Sequence, residues 1–130
     1  MWIHTGEKLL NATDPTRVKF RTNISKAILD DLRLMADQNH THVNYLIEVG
    51  LETMLADGVL AYSKDLRPTD RVQYKTTYDK DLLAATREFA AQNGVFVNNL
   101  IEHSASLIDP SKCKDKPHRA RVERGHLLKF

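Results

Sequence analysis

Two short stretches hold the groups that could do chemistry in this chain. In Arg17–Ser25, Lys19, Arg21 and Asn23 alternate with Val18, Phe20, Thr22 and Ile24. Alternate side chains of an extended chain point to opposite faces, so one face is apolar and the other polar. Arg71–Asp79 repeats the arrangement, with Gln73, Lys75 and Thr77 on the polar side. Its apolar side carries Val72, Tyr74, Thr76 and Tyr78. A strand whose polar face offers hydrogen-bond donors, some of them charged, suits the edges of bases in DNA. Either stretch alone reads better as a plain amphipathic edge strand. Two copies, each followed by the same helical pattern, favour a binding face.

Other chemistry finds less support. No nucleophile–base set, phosphate-cradling glycine loop or paired carboxylates in a pocket can be traced, so an enzyme is not expected. Asp30 and Asp31 read as a solvated helix side. Of the six histidines, His40 and His42 lie two apart at a turn, and His103 stands alone on a helix. His4, His118 and His126 fall in arms, and Cys113 is the only cysteine. No metal, cofactor or disulfide is expected from such a set.

Helical segments after each polar stretch must hold it in place. Ser25 and Asp79 are suited to cap a helix start. Ile28, Leu29, Leu32, Met35 and Ala36 are spaced for one helix face, as are Leu82, Leu83, Thr86, Phe89 and Ala90. Asn39-His40 and Asn93-Gly94 mark the stops, where glycine or asparagine tolerates a left-handed residue. A second helix begins near Val43 and again near Val97. Its stripes are Val43, Leu46, Ile47, Gly50, Leu51 and Met54, then Val97, Leu100, Ile101, Ser104, Ala105 and Ile108. Gly50 and Ser104 are small residues on buried stripes, which predicts a close crossing of two helices there.

The two copies are in register at an offset of 54 residues. Between Arg17 and Glu48, 14 of 32 positions recur unchanged, among them Arg17, Arg33, Asn44 and Glu48. A unit of about 40 residues is marginal alone, and two packed together would share a core. The expected organisation is an arm over 1–16, a first repeat over 17–57 and a linker over 58–70. Then come a second repeat over 71–109 and a basic tail over 110–130. The linker is long enough to bring the second strand beside the first, so one chain would supply both.

On these residues the chain resembles the ribbon-helix-helix (Arc/MetJ/CopG) superfamily of DNA-binding proteins. The order strand, helix, turn, helix matches. Ala36-Asp37-Gln38-Asn39-His40-Thr41-His42-Val43-Asn44 looks like that family's A-E-x-N-G-x-S-V-N segment, as does Ala90 through Asn98. The tandem arrangement is similar to TraY-type accessory proteins of plasmid conjugation. The resemblance implies a mainly α fold with a two-stranded antiparallel ribbon, two repeats forming a single-chain pseudo-dimer. It implies base contacts from Lys19, Arg21, Asn23, Gln73, Lys75 and Thr77 in the major groove. It also implies phosphate contacts at the start of the second helix, near Val43 and Asn44 and near Val97 and Asn98. His42 and Phe96 stand where the family commonly has serine; Thr41 is a substitute cap in the first copy.

Net charge is +2, unevenly spread. Residues 1–109 hold 12 basic against 15 acidic side chains, and residues 110–130 hold 7 against 2. The body is no general polyanion binder. The tail reads as a solubilising end, as an arm for phosphate contacts, or as a segment that folds on a protein partner. No secretory signal or membrane span is read, so a cytoplasmic protein is expected. The functional expectation is a sequence-specific DNA-binding protein, most simply a transcriptional repressor, with double-stranded DNA as partner. A plasmid conjugation or maintenance accessory, or an antitoxin-like interaction module, are the alternatives. Further self-association on DNA is compatible with each. The two DNA half-sites are expected to differ, because Lys19, Arg21 and Asn23 are matched by Gln73, Lys75 and Thr77 in the second copy.

Overall fold

The alternating stretches form β1 (Arg17–Ser25) and β2 (Arg71–Asp79), paired antiparallel. The computed structural model describes residues 16–58, 60 and 67–114. Residues 1–15 of the expected arm, most of the linker and the tail from 115 lie outside the described residues. Arg21 sits opposite Lys75 at the centre of the ribbon, Lys19 opposite Thr77, and Asn23 opposite Gln73. Each strand runs straight into a helix: α1 (Lys26–Gln38) follows β1 and α3 (Lys80–Asn93) follows β2. After tight turns come α2 (Val43–Asp57) and α4 (Val97–Ser104). The fold is mainly helical with one two-stranded antiparallel sheet. None of the described helices is long and apolar enough to cross a membrane.

Both expected caps form. The Ser25 hydroxyl accepts from the Ile28 N–H, and the Asp79 carboxylate accepts from the Leu82 N–H. Asp70, at the linker's end, adds a second hold on α1. Its carboxylate accepts from the Ala27 N–H at 2.9 Å and from the Ser25 hydroxyl at 3.2 Å. Those bonds stabilise the charged form, so its pKa lies below the ordinary carboxylate value.

The helix stops match between copies. The left-handed residue is His40 in the first, at φ 52°, and Gly94 at the equivalent position in the second, at φ 65°. Asn39 turns its side-chain amide back to the Met35 carbonyl, and Asn93 does the same to the Phe89 carbonyl. Histidine is one of the few side chains that enters this region at modest cost.

The stripes meet in one core. Leu29, Leu32 and Ala36 of α1 and Leu83 and Ala90 of α3 cover Leu46, Ile47, Leu51 and Met54 of α2 and Leu100 and Ile101 of α4. Ile24 and Tyr78 enter it from the ribbon. Thr86, the polar member of the α3 stripe, is fully buried but donates its hydroxyl hydrogen to the Leu82 carbonyl. Gly50 faces the backbone of Ser104, and a Cβ there would collide with the Ser104 carbonyl. The expected close crossing is thus between α2 and α4.

Beyond Ser104 the second copy departs from the helical reading. Ala105–Leu107 is a single 3₁₀ turn, and Ile108 is extended and packs near Gly50. An α-helix continued to Pro110 would set its ring against the Ser106 carbonyl. Ser111–Lys114, the start of the expected basic tail, folds back onto the body. Pro110–Lys112 makes another 3₁₀ turn, and half-buried Cys113 packs on the core. The reason is Thr41: it is buried and needs a partner. Its hydroxyl donates to the Lys114 carbonyl and lies 3.1 Å from Cys113 Sγ. Burial pushes the Cys113 thiol pKa up. Thr41 is therefore a buried anchor for residues 113 and 114 and not the cap of α2.

Candidate nucleic-acid interface

The β-alternation places Ile24 and Tyr78 on the buried side of the ribbon, with Phe20 edge-on to Tyr78 at 6.2 Å. Burial raises the Tyr78 pKa well above that of an ordinary tyrosine. The other side is solvent-facing: Lys19, Arg21, Asn23, Gln73 and Lys75 are all exposed. Thr77 is half-buried, and its hydroxyl oxygen accepts from Arg17 Nε at 3.1 Å. All six residues expected to face bases therefore share one surface, and no carboxylate stands among them.

The second helices flank this surface. Asn44, in the first turn of α2, donates its side-chain amide to the Thr77 carbonyl at 2.9 Å. Asn98, in the first turn of α4, does the same to the Asn23 carbonyl at 3.0 Å. These two side chains were expected among the phosphate contacts. They pin each helix start to the opposite repeat's strand, and the backbone amides carry the anion-binding potential. His42 at the start of α2 makes no side-chain cap, and neither helix has an acidic residue in its first turn. Among the described residues, no first-turn carboxylate offsets the positive end of either helix dipole. At α4 the Phe96 N–H is taken by the Asn99 side chain at 3.0 Å. The amides of Val97 and Asn98 come next, at the opening of the helix.

Beside α2 the surface opens into a cleft of about 400 Å³ lined by Arg17, Arg33, His42, Asn44, Tyr74 and Thr77, among others. None of the described residues in its walls is acidic. Such a cleft at a helix N-terminus suits a phosphate group.

Comparison with family models, with curated proteins and with solved structures finds no match.

Two pairs that hold the site were not assigned a role from sequence. Arg17 donates to Glu48 at 2.8 Å, and Arg71 grips Glu102 through two bonds of 2.6 and 3.0 Å. Each carboxylate also accepts a backbone N–H at the far end of the other strand. Glu48 takes that of Asp79 at 2.7 Å, and Glu102 takes that of Ser25 at 2.8 Å. Both helices after the strands are therefore anchored at their caps by α2 and α4. A signal was present in the sequence. Arg17 and Glu48 recur at the two ends of each repeat, opposite in charge.

The two Arg–Glu anchors are not equivalent. Arg71 directs both of those bonds to Glu102, whereas Arg17 divides its donors between Glu48 and the hydroxyl and carbonyl of Thr77. Arg17 also lies over the Tyr45 ring, 5.3 Å from its centroid. Lys114 approaches the same ring at 5.7 Å. The charged end of the described chain is thus placed beside α2.

Proposed function

We propose that this chain is a sequence-specific DNA-binding protein of the ribbon-helix-helix kind, acting as a transcriptional repressor. Its two repeats form a single-chain pseudo-dimer. The ribbon enters the major groove, and the starts of α2 and α4 clamp phosphates on either side. Bound DNA is then closed to polymerase.

One observation carries this reading. A carboxylate-free face of exposed Lys19, Arg21, Asn23, Gln73 and Lys75 lies between two helix starts with no acidic residue in their first turns. A two-stranded ribbon fits the width of the B-DNA major groove. Pseudo-dimer symmetry is supported by contacts that recur at the repeat offset. Arg17–Glu48 answers to Arg71–Glu102, and Asn44–Thr77 answers to Asn98–Asn23.

Selection of bound duplexes from a random pool tests the proposal. A sequence motif should emerge, and its affinity should fall as salt rises, because phosphate contacts release counterions. If no sequence is enriched and retention is independent of salt, the reading is rejected and the face belongs to a protein partner.

A further inference from the structure

The two ends of the ribbon differ in chemical kind, not only in residue identity. At one end Lys19 stands opposite Thr77. Lysine only donates, and the Thr77 oxygen is already accepting from Arg17. The Thr77 hydroxyl keeps its hydrogen and one lone pair, so the rung is weighted towards donors by Lys19. At the other end Asn23 stands opposite Gln73, both exposed. Each carboxamide offers a donor and an acceptor side by side. The asymmetry is sustained below the surface, because Arg71, the counterpart of Arg17, directs its Nε to Glu102.

Base edges divide in the same way. Guanine presents two acceptors in the major groove, and adenine presents one acceptor beside one donor. A rung led by a group that only donates, as Lys19 does, matches guanine, and a carboxamide rung matches adenine. The central rung, Arg21 opposite Lys75, consists of donors alone. Successive rungs are two residues apart, about 6.8 Å along a strand, close to two base-pair steps of about 3.4 Å each.

We propose that the chain reads a directional DNA element of about five base pairs. The element has G·C pairs at its centre and at the Lys19–Thr77 end, and A·T pairs at the Asn23–Gln73 end. This rests on the reading that the ribbon enters DNA, and adds that its target has a polarity. A bound molecule of this protein therefore points one way along the duplex, with the α2 flank, and Lys114 with it, on the G·C side.

The experiment is random-pool selection on the full chain and on two variants. The wild-type motif is expected to be non-palindromic, with A·T at one end. Gln73→Lys combined with Asn23→Thr copies the Lys19–Thr77 rung onto the other end, at the positions equivalent by the 54-residue offset. The motif should become near-palindromic, with about a 5- to 100-fold loss of affinity for the original A·T-ended site. Lys19→Asn should shift preference at the opposite end from G·C towards A·T. Lys19, Asn23 and Gln73 are exposed, so matching thermal melts are expected for both variants. A palindromic wild-type motif overturns the polarity and leaves DNA binding standing. An A·T end that persists in the double variant also overturns it. Absence of any enriched motif for the wild type overturns both the polarity and the proposed function.

Discussion

Gly50 lies against the backbone carbonyl of Ser104, where α2 crosses α4. The two positions are equivalent in the repeats, so the crossing joins the halves at matching points. Glycine in an exposed helix interior is ordinarily a cost, and alanine would add about 0.5–1 kcal/mol of stability. Here the added methyl meets a carbonyl that cannot rotate aside. Gly50→Ala is expected to destabilise by about 1–3 kcal/mol, as overpacking does. Urea denaturation read by circular dichroism checks the sign, and a stabilised variant would contradict the close crossing.

The buried pairs should respond unequally. Removing one partner of a buried ion pair costs about 3–5 kcal/mol, because the other charge is stranded. Glu48→Ala removes the carboxylate facing Arg17, whose side chain is 7% exposed, and frees the Asp79 N–H. Glu102→Ala removes the carboxylate facing Arg71, whose side chain is 21% exposed and can recover some water. Both variants should unfold earlier in urea, with Glu48→Ala the lower midpoint.

Arg21 and Lys75 face each other across the ribbon centre but should not discriminate equally. The arginine fork can bond both acceptors of guanine, whereas lysine is a flexible point charge. Arg21→Ala is expected to lose about 1–3 kcal/mol of binding and to relax choice at one base pair. Lys75→Ala should lose affinity with less change in base preference. Titrations on single-base variants of a selected site measure both.

Cutting the chain after Lys114 removes five basic and two acidic side chains while keeping the Thr41–Lys114 contact. Binding should weaken on all sequences alike, and the slope of affinity against salt should flatten. A cut before Ser111 would also uncover Thr41, so a lower melting temperature is expected for that shorter chain alone.

Asp70 gives a pH signature. Its folded pKa is depressed first by the Ala27 N–H and then by the Ser25 hydroxyl. A depressed carboxylate contributes stability that is present above its unfolded value, near 3.8. That contribution is lost as pH falls through the lowered folded value. Asp70→Asn should lower the melting temperature at pH 7 and remove part of the decline seen below pH 4. Melts between pH 2 and 7 on both proteins make the comparison.

The sequence by itself determined the strands, the helices and the faces they turn inward. Periods of 2 and 3.6 are local, and so are the caps at Ser25 and Asp79, which each reach only three residues along the chain. The 54-residue offset made the second copy a check on the first. Tertiary structure decided what depends on groups far apart in the chain. The Asn44 and Asn98 amides go to carbonyls of the opposite repeat's strand, 33 and 75 residues away. Glu48 and Glu102 recur visibly, but their role as anchors of the other repeat's cap needed both halves assembled. Thr41 read as a cap because threonine caps helices; only the folded-back Lys114, 73 residues on, shows what its hydroxyl bonds. The difference between the ribbon's two ends has the same origin. Thr77 is a hydroxyl in the sequence, and only the folded strand pair shows that Arg17 occupies one of its acceptor positions.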